Sequence, residues 1–422
     1  MSMEQLSVVP WEGVESPLVA LDVSIVMPCL NETASLPHCL ANAREALAWM
    51  ETCYGLTGEI VVADNGSHDG SQALAARLGA RVIHVPTRGY GAALIGGCDG
   101  AFGRYLLIGD ADGSYDFIDG VAMIGRLIEG ADLCMGSRFQ GGIAPGAMPW
   151  KNRYIGNPVL TGILNLFFRS GIDDAHCGLR AITKDAFKDL GLSGVGMEFA
   201  SEMVVKASLK KIRIEQAPAR LSVDLRRRPP HLRPWRDGWR HLRYLLMLSP
   251  TWVFGVPALF AIGSAIFIFG VAALFALGVL HGLSPFGTSW TIIAGYLFTI
   301  GHFSVLMAVA THFYGVRRGY RSLHPWLGGL SNTLTLENAL LAGAVMMIAS
   351  LVAFAAITVG WSSHGFTALP SILPLTLAAV LGAVGVQTAL GGFLLAIIAD
   401  HNARLAPFAI GAEVWPAKRP HE

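Results

Sequence analysis

Four long apolar runs in the second half of the chain restrict its architecture more than any other feature of the sequence. They span Trp252–Leu280, Trp290–Tyr314, Leu340–Trp361 and Ile372–Ala399, and each reaches the ~20 residues that a helix needs to cross a bilayer. The chain of 422 residues is 53 % hydrophobic and 14 % charged, but the imbalance belongs to this half: 25 of the 31 Lys and Arg residues precede Ser249. The connections around His281–Ser289 and Ser362–Ser371 carry no Lys or Arg. The loop after the second run has Arg317, Arg318 and Arg321, and the tail has Arg404, Lys418 and Arg419. Positive charge marks the cytoplasmic side, so four spans are predicted with the N-terminal half, the middle loop and the tail all cytoplasmic. Thr299, His302, His312 and Gln387 within the runs read as groups that bond neighbouring helices, and Gly382 and Gly385 as positions of close packing.

The first half has an ordinary soluble composition and is long enough for its own core. Its opening stretch, Met1–Ala20, is acidic and lacks the basic-then-apolar pattern of a signal peptide. All six cysteines lie in this half without metal-ligand spacing, which predicts reduced, mostly buried thiols. A formal net charge of +1 gives no electrostatic case for nucleic acid as a partner, and none is expected. Apolar runs at Val23–Met27, Glu59–Ala63, Arg81–Val85 and Tyr105–Ile108 read as strands, the first stopped by Pro28. Between the first two, Leu36, Leu40, Ala43, Leu47 and Met50 recur at helical spacing. Strands alternating with helices predict a mainly parallel α/β sheet with functional residues at strand ends. No dinucleotide fingerprint and no Walker A loop is present, which disfavours hydride transfer and ATP hydrolysis.

The strand Tyr105–Ile108 ends at Gly109 and then presents Asp110 and Asp112. Two carboxylates beyond a strand end reach a single hard cation, Mg²⁺ or Mn²⁺, which takes oxygen ligands and bridges to phosphates. Glu198 and Glu202 lie one helical turn apart and read as structural groups that orient arginines. His176 reads as a packed or hydrogen-bonded histidine.

In this order and spacing the motifs resemble those of the family 2 glycosyltransferases over most of residues 21–222. Val23–Glu32, with Pro28, Asn31 and Glu32, looks like the opening strand and nucleotide-contacting loop. Asp64-Asn65-Gly66-Ser67 looks like the second strand end, where an Asp meets the base, although Asn65 stands where a second Asp is more usual. Tyr90 and Gly91 join this nucleotide-sugar set, and Asp110-Ala111-Asp112 is similar to the metal and diphosphate site. The implied fold is the nucleotide-diphospho-sugar-binding, Rossmann-like GT-A type, followed here by an α-helical membrane domain. Gly136–Phe139, Asn152–Tyr154 and Cys177–Arg180 look like the polyprenyl- or dolichyl-phosphate sugar synthases. By that resemblance Arg138, Arg153 and Arg180 hold an acceptor phosphate. The expected partners are a nucleotide diphosphate sugar, a polyprenyl phosphate and the lipid bilayer.

Leu225–Leu248 carries seven arginines against one acid. Trp235, Trp239, Leu242 and Leu246 form one helical stripe, and Arg233, Arg236, Arg240 and Arg243 another, as in a helix lying in the membrane interface. Arg226 and Arg228, just before it, are further candidates for the lipid phosphate. The expected organisation is therefore an extension (1–20), a transferase domain (21–224), a basic juxtamembrane segment (225–248), a membrane domain (249–403) and a tail (404–422).

Overall fold

A computed structural model describes residues 21–226, 234–282, 285–319, 333–367 and 371–399, with positions 321, 323, 369 and 405. The extension 1–20, Arg228, Arg233 and nearly all of the tail lie outside the described residues. The chain divides into two compact units between Leu245 and Leu246.

In the first unit a seven-stranded sheet forms from β1 (Val23–Cys29), β2 (Gly58–Asp64), β3 (Arg81–His84), β4 (Tyr105–Ile108), β5 (Leu133–Ser137), β6 (Arg180–Thr183) and β7 (Ile214–Pro218), in the order β3-β2-β1-β4-β6-β5-β7. β1 lies inside the sheet, paired on both sides, and its apolar side chains are buried, which is why its sequence is a continuous apolar run. The strand passes through Pro28 instead of stopping before it. Val26 O accepts from Gly109 N on the β4 side, and Cys29 O accepts from Asn65 N on the β2 side. Pro28 therefore faces β4, where the ladder has already ended at Val26 and Ile108, and its missing N–H breaks no bond.

The sheet is mainly parallel, as expected, with one reversal: β6 runs antiparallel to both β4 and β5. This reversal matters for function. With Arg180 paired to Ile108, the loop that leads into β6 arrives at the edge where β4 lets go of its acidic turn. β5 runs with β4, so Arg138, which follows its last residue, reaches that edge too.

The helices are α1 (Leu36–Tyr54), α2 (Ser71–Arg77), α3 (Tyr90–Gly100), α4 (Asp119–Ile128), the short α5 (Arg138–Gly141), α6 (Asn157–Phe168, entered through a wide turn at Asn152–Gly156), α7 (Lys184–Leu190), α8 (Phe199–Lys210) and α9 (Pro234–Met247). α1 buries Leu36, Leu40, Ala43 and Met50 against the sheet and ends on the left-handed Gly55. All six cysteines are free thiols, and only Cys53 is exposed.

The second unit holds α10 (Val256–Ala276), α11 (Thr288–Arg317), α12 (Leu336–Ser363) and α13 (Leu373–Ile398). The four candidate spans, the first counted from Thr251, are 26, 30, 28 and 26 residues long, and most of their apolar surface faces outward, as lipid requires. α12 and α13 touch backbone to backbone: a Cβ on Gly385 would come within 2.8 Å of the Gly343 carbonyl. His302 Nδ1 lies 2.9 Å from Gln387 Oε1, so these two polar groups join α11 to α13.

Candidate active site

Beyond β4 the chain turns through Asp110, Ala111 and Asp112. Ser35 Oγ donates to the Ala111 carbonyl at 2.7 Å. Asp112 Oδ1 accepts from the Ser114 amide at 2.9 Å and its hydroxyl at 2.6 Å, while the Tyr90 hydroxyl donates to Asp110 Oδ1 at 3.0 Å. Burial, and next the charge of Asp112, push the Asp110 carboxyl above the usual range, to about 6. The positive charge near this pair is Arg226, whose Nη2 is 3.2 Å from Asp112 Oδ2 and whose Nε is 2.9 Å from Glu32 Oε1. Arg226 arrives there because the strand-like segment after β7 lies along the acidic turn. The Ser222 amide donates to the Ser114 carbonyl and the Leu225 amide to the Asp112 carbonyl, each at 2.8 Å.

The residues expected to meet the nucleotide are held by one another. Asp64 is almost fully buried and accepts from the Gly66 amide at 3.0 Å and Gln72 Nε2 at 2.7 Å. Burial raises its carboxyl, but hydrogen bonds from Ser67, Gly66 and Gln72 outweigh that and hold it below the ordinary value. Asn65 is committed at both ends of its amide: Nδ2 donates to the Val85 and Thr87 carbonyls, and Oδ1 accepts from the Gly89 amide at 2.7 Å. Asn31 adopts a left-handed φ of 58° and accepts from the His68 amide. A Cβ on Gly91 would collide with the Gly194 carbonyl, so only glycine lets α3 start against that loop.

Of the four described arginines expected to hold the acceptor phosphate, only two line a cavity. Arg138 forks onto Asp174 (Nε to Oδ2 at 2.6 Å, Nη2 to Oδ1 at 2.7 Å), with both side chains buried. Arg226 sits on the acidic pair. Arg180 is 2 % exposed, and its guanidinium donates to the Cys177 carbonyl at 3.1 and 2.7 Å and to the Ala200 carbonyl at 3.1 Å. In this arrangement it ties β6 to α8. Arg153 lies over the Tyr154 ring at 5.5 Å. Glu202 orients no arginine: it accepts from the Ser193 and Gly194 amides and pairs with Lys206 at 2.8 Å, fixing the loop before α8. Glu198 accepts from the Gly196 amide at 3.0 Å.

A cavity of about 620 Å³ joins these parts. It is lined by Pro28, Glu32, Asn65, Tyr90, Asp110 and Asp112, and equally by Arg88, Arg138, His176, Arg226, Arg236, Arg240 and His241. Asn31, Asp64, Gly66, Gly91, Ala111, Arg153 and Arg180 are not among its lining residues. Acidic and basic groups thus share one space, suited to a polyanion that a cation bridges to carboxylates and guanidinium groups meet directly. The sequence gives no sign of His241, because only the turn of α9 brings it to the cavity beside Arg240.

Residues 24–191 match the sequence profile of glycosyl transferase family 2, and residues 309–399 match that of the glycosyltransferase family 2 C-terminal transmembrane region. Over 385 residues, 90 % of each chain, the sequence is 34 % identical to the low-salt glycan biosynthesis hexosyltransferase Agl6 of Haloferax volcanii. The chain belongs to family 2 of the glycosyltransferases. The transferase is also 30 % identical to the polyprenol monophosphomannose synthase of Mycolicibacterium smegmatis over 40 % of its own length and 65 % of that protein. It is 27 % identical to the dolichol-phosphate mannosyltransferase of Pyrococcus furiosus over 46 % of its own length and 54 % of that protein. The four apolar helices and the transmembrane match make it a membrane protein.

The acidic turn of the transferase fits a divalent cation. The charge of Asp112 raises the proton affinity of Asp110, and a guanidinium already occupies part of the space a cation would neutralise. Among the described residues no group of three or more His, Cys, Asp or Glu could hold an ion. Asp110 and Asp112 would therefore hold it with phosphate oxygens and water completing the shell. Proton and cation compete for Asp110, so Mn²⁺ affinity should rise about tenfold per pH unit up to about 6 and level off above it. Titration of the metal at several pH values checks this. Gly178 guards the same carboxylate: a Cβ there would lie 2.6 Å from Asp110 Oδ2 and 2.7 Å from the Tyr115 ring. Gly178→Ala should therefore weaken Mn²⁺ binding by about tenfold, the effect of disturbing a ligand's support, measurable in the same titration.

Proposed function

We propose that this transferase moves a hexose from a nucleotide diphosphate sugar to a polyprenyl phosphate at the cytoplasmic leaflet, with inversion at C1. UDP-glucose is the first candidate donor and GDP-mannose the second. The observation that carries this reading is the single cavity lined both by Asp110 and Asp112 and by Arg138, Arg236 and Arg240. The names of two relatives, a polyprenol monophosphomannose synthase and a dolichol-phosphate mannosyltransferase, support the acceptor.

A phosphomonoester has its second pKa near ~6 and is already a nucleophile at neutral pH, so the protein need supply no base. That agrees with Glu202, which is buried and committed to Ser193, Gly194 and Lys206. The guanidinium of Arg138, held rigid by Asp174, and those of Arg236 and Arg240 offset the repulsion between an incoming dianion and the sugar diphosphate. Asp110 and Asp112 would hold a divalent cation, which would supply neutralising charge for the departing nucleotide diphosphate. Attack of a phosphate oxygen opposite the leaving group inverts the anomeric carbon.

A lipid acceptor requires the cavity to meet the membrane surface. One face of the 149–168 segment lines the cavity through Pro149, Asn152, Gly156, Asn157 and Leu160. Trp150, Tyr154, Ile155, Val159 and Leu166 are exposed on the same segment, a face suited to the headgroup zone with Lys151 and Arg153 beside it. Replacing Trp150 and Tyr154 together by Ala should cut activity on a long-chain acceptor in bilayers about tenfold, while a short, water-soluble prenyl phosphate in detergent is used as before.

The decisive experiment incubates the full chain with labelled UDP-glucose or GDP-mannose and undecaprenyl phosphate. A labelled lipid phosphate that releases its sugar in mild acid is expected. Label confined to a ceramide, a diacylglycerol or a glycan would overturn the acceptor.

A further inference from the structure

A cluster of three polar side chains, two of them on the wall of this cavity, has no part in the transfer step as described. His176, in the loop before β6, and His241, on α9, both line the cavity. Their rings meet edge to face, with centroids 4.7 Å apart and planes at 82°. Ser201, fully buried on α8, stands between them, its Oγ 3.3 Å from His176 Nε2 and 2.8 Å from His241 Nδ1. The hydroxyl owns one proton, so it donates to one ring and accepts from the other.

His176 Nδ1 is buried and has no hydrogen-bond partner, alone among the described side chains of the first unit. Folded interiors rarely leave such an atom unpaired. Its surroundings are positive. The His176 amide donates to Asp174 Oδ1, and Asp174 also holds the Arg138 guanidinium. Burial, then His241, Arg138 and Arg180, keep the His176 ring well below the ordinary imidazole range, so it stays neutral and carries a single proton. A bare lone pair at Nδ1 would repel an anion, whereas a proton there would greet one.

We propose that His176 binds the anionic head of the acceptor, donating from Nδ1 to a phosphate oxygen when a side-chain adjustment on binding uncovers that atom, and that Ser201 and His241 are positioning residues that hold its ring in the required tautomer. This rests on the acceptor being a phosphomonoester. The donors then run in one direction: His241 Nδ1–H to Ser201 Oγ, Ser201 O–H to His176 Nε2, and His176 Nδ1–H to the phosphate. The amphipathic helix α9 thereby helps set the acceptor subsite through a second residue besides its arginines.

Asn at position 176 places an N–H where Nδ1 is now; Gln reaches toward Ser201 and leaves that place empty. In the full chain in nanodiscs, His176→Gln should raise the KM for undecaprenyl phosphate about tenfold or more, the usual worth of a hydrogen bond to a charged group, with the KM for the nucleotide sugar unchanged. His176→Asn should stay within about threefold of the parent, and Ser201→Ala should raise the acceptor KM several-fold with little change in kcat. Inorganic phosphate should raise the melting temperature of the parent and of His176→Asn, but not of His176→Gln. A rise in the nucleotide-sugar KM alone, or equal phosphate stabilisation of all variants, would overturn the proposal. Should the parent leave undecaprenyl phosphate unlabelled, the acceptor reading fails, and the phosphate shift still decides whether His176 binds an anion. If His176→Gln does not fold, Ser201→Ala takes its place: an unchanged acceptor KM counts against the relay.

Discussion

Asp112→Asn is expected to lower turnover by about a thousandfold, the scale of losing a group that stabilises charge in the transition state, while the fold survives. The amide keeps one oxygen, so the Ser114 amide and hydroxyl, now 2.9 and 2.6 Å from Oδ1, retain an acceptor and the turn holds its shape. What disappears is the charge. Arg226 Nη2, 3.2 Å from Oδ2, loses one of its two carboxylates and keeps Glu32. Asp110 loses the neighbour whose charge helps push its carboxyl up, so its affinity for a proton falls. It cannot hold a cation alone, because each carboxylate supplies only part of a six-oxygen shell. Mn²⁺ titration should show binding weakened alongside the rate, with the melting temperature close to that of the parent. Full turnover by this variant, or by the parent in excess chelator, would sink the two-carboxylate account.

Arg138→Ala is expected to destabilise the first unit by about 3–5 kcal/mol, because it strands Asp174 as an unpaired buried charge. Asp174 is fully buried and accepts three bonds from Arg138, from Nε, Nη2 and the backbone amide. At ~2–4 °C per kcal/mol for a unit of this size, melting should fall by roughly 10 °C. The same arginine lines the cavity, so the rate alone would not separate folding from binding. Arg138→Met with Asp174→Leu removes both charges together, and an apolar pair of similar bulk should restore most of the stability. If Arg138 also meets the acceptor, the doubly changed protein melts near the parent temperature yet keeps a raised KM for the lipid phosphate. Recovery of that KM together with the melting temperature would reduce Arg138 to a strut.

The acidic pair could be read in advance because its signal is local. An apolar run of strand length ending in glycine and two acids needs no distant partner to be recognised, and the structure ends β4 at Ile108 before that turn. Length and hydropathy likewise foretell the membrane helices, since a bilayer imposes a thickness on each segment separately. Arg180 shows where such reading stops. Its motif placed it on an acceptor, but the antiparallel entry of β6 points it at the Cys177 and Ala200 carbonyls. No local pattern distinguishes a four-residue antiparallel strand from a parallel one.

By itself, then, the sequence determined the class of the first unit, the strands β1 to β4, the carboxylates at the end of β4 and the four membrane-length helices. Each of these is written in a short stretch by the alternation and length of apolar residues. Tertiary structure alone decided which charges meet. Arg226 reaches Glu32 across 194 positions, Arg138 finds Asp174 across 36, and His176, Ser201 and His241 gather from a loop and two helices. Those pairings depend on how strand order and chain reversal fold distant segments together, and side-chain periodicity carries no record of that.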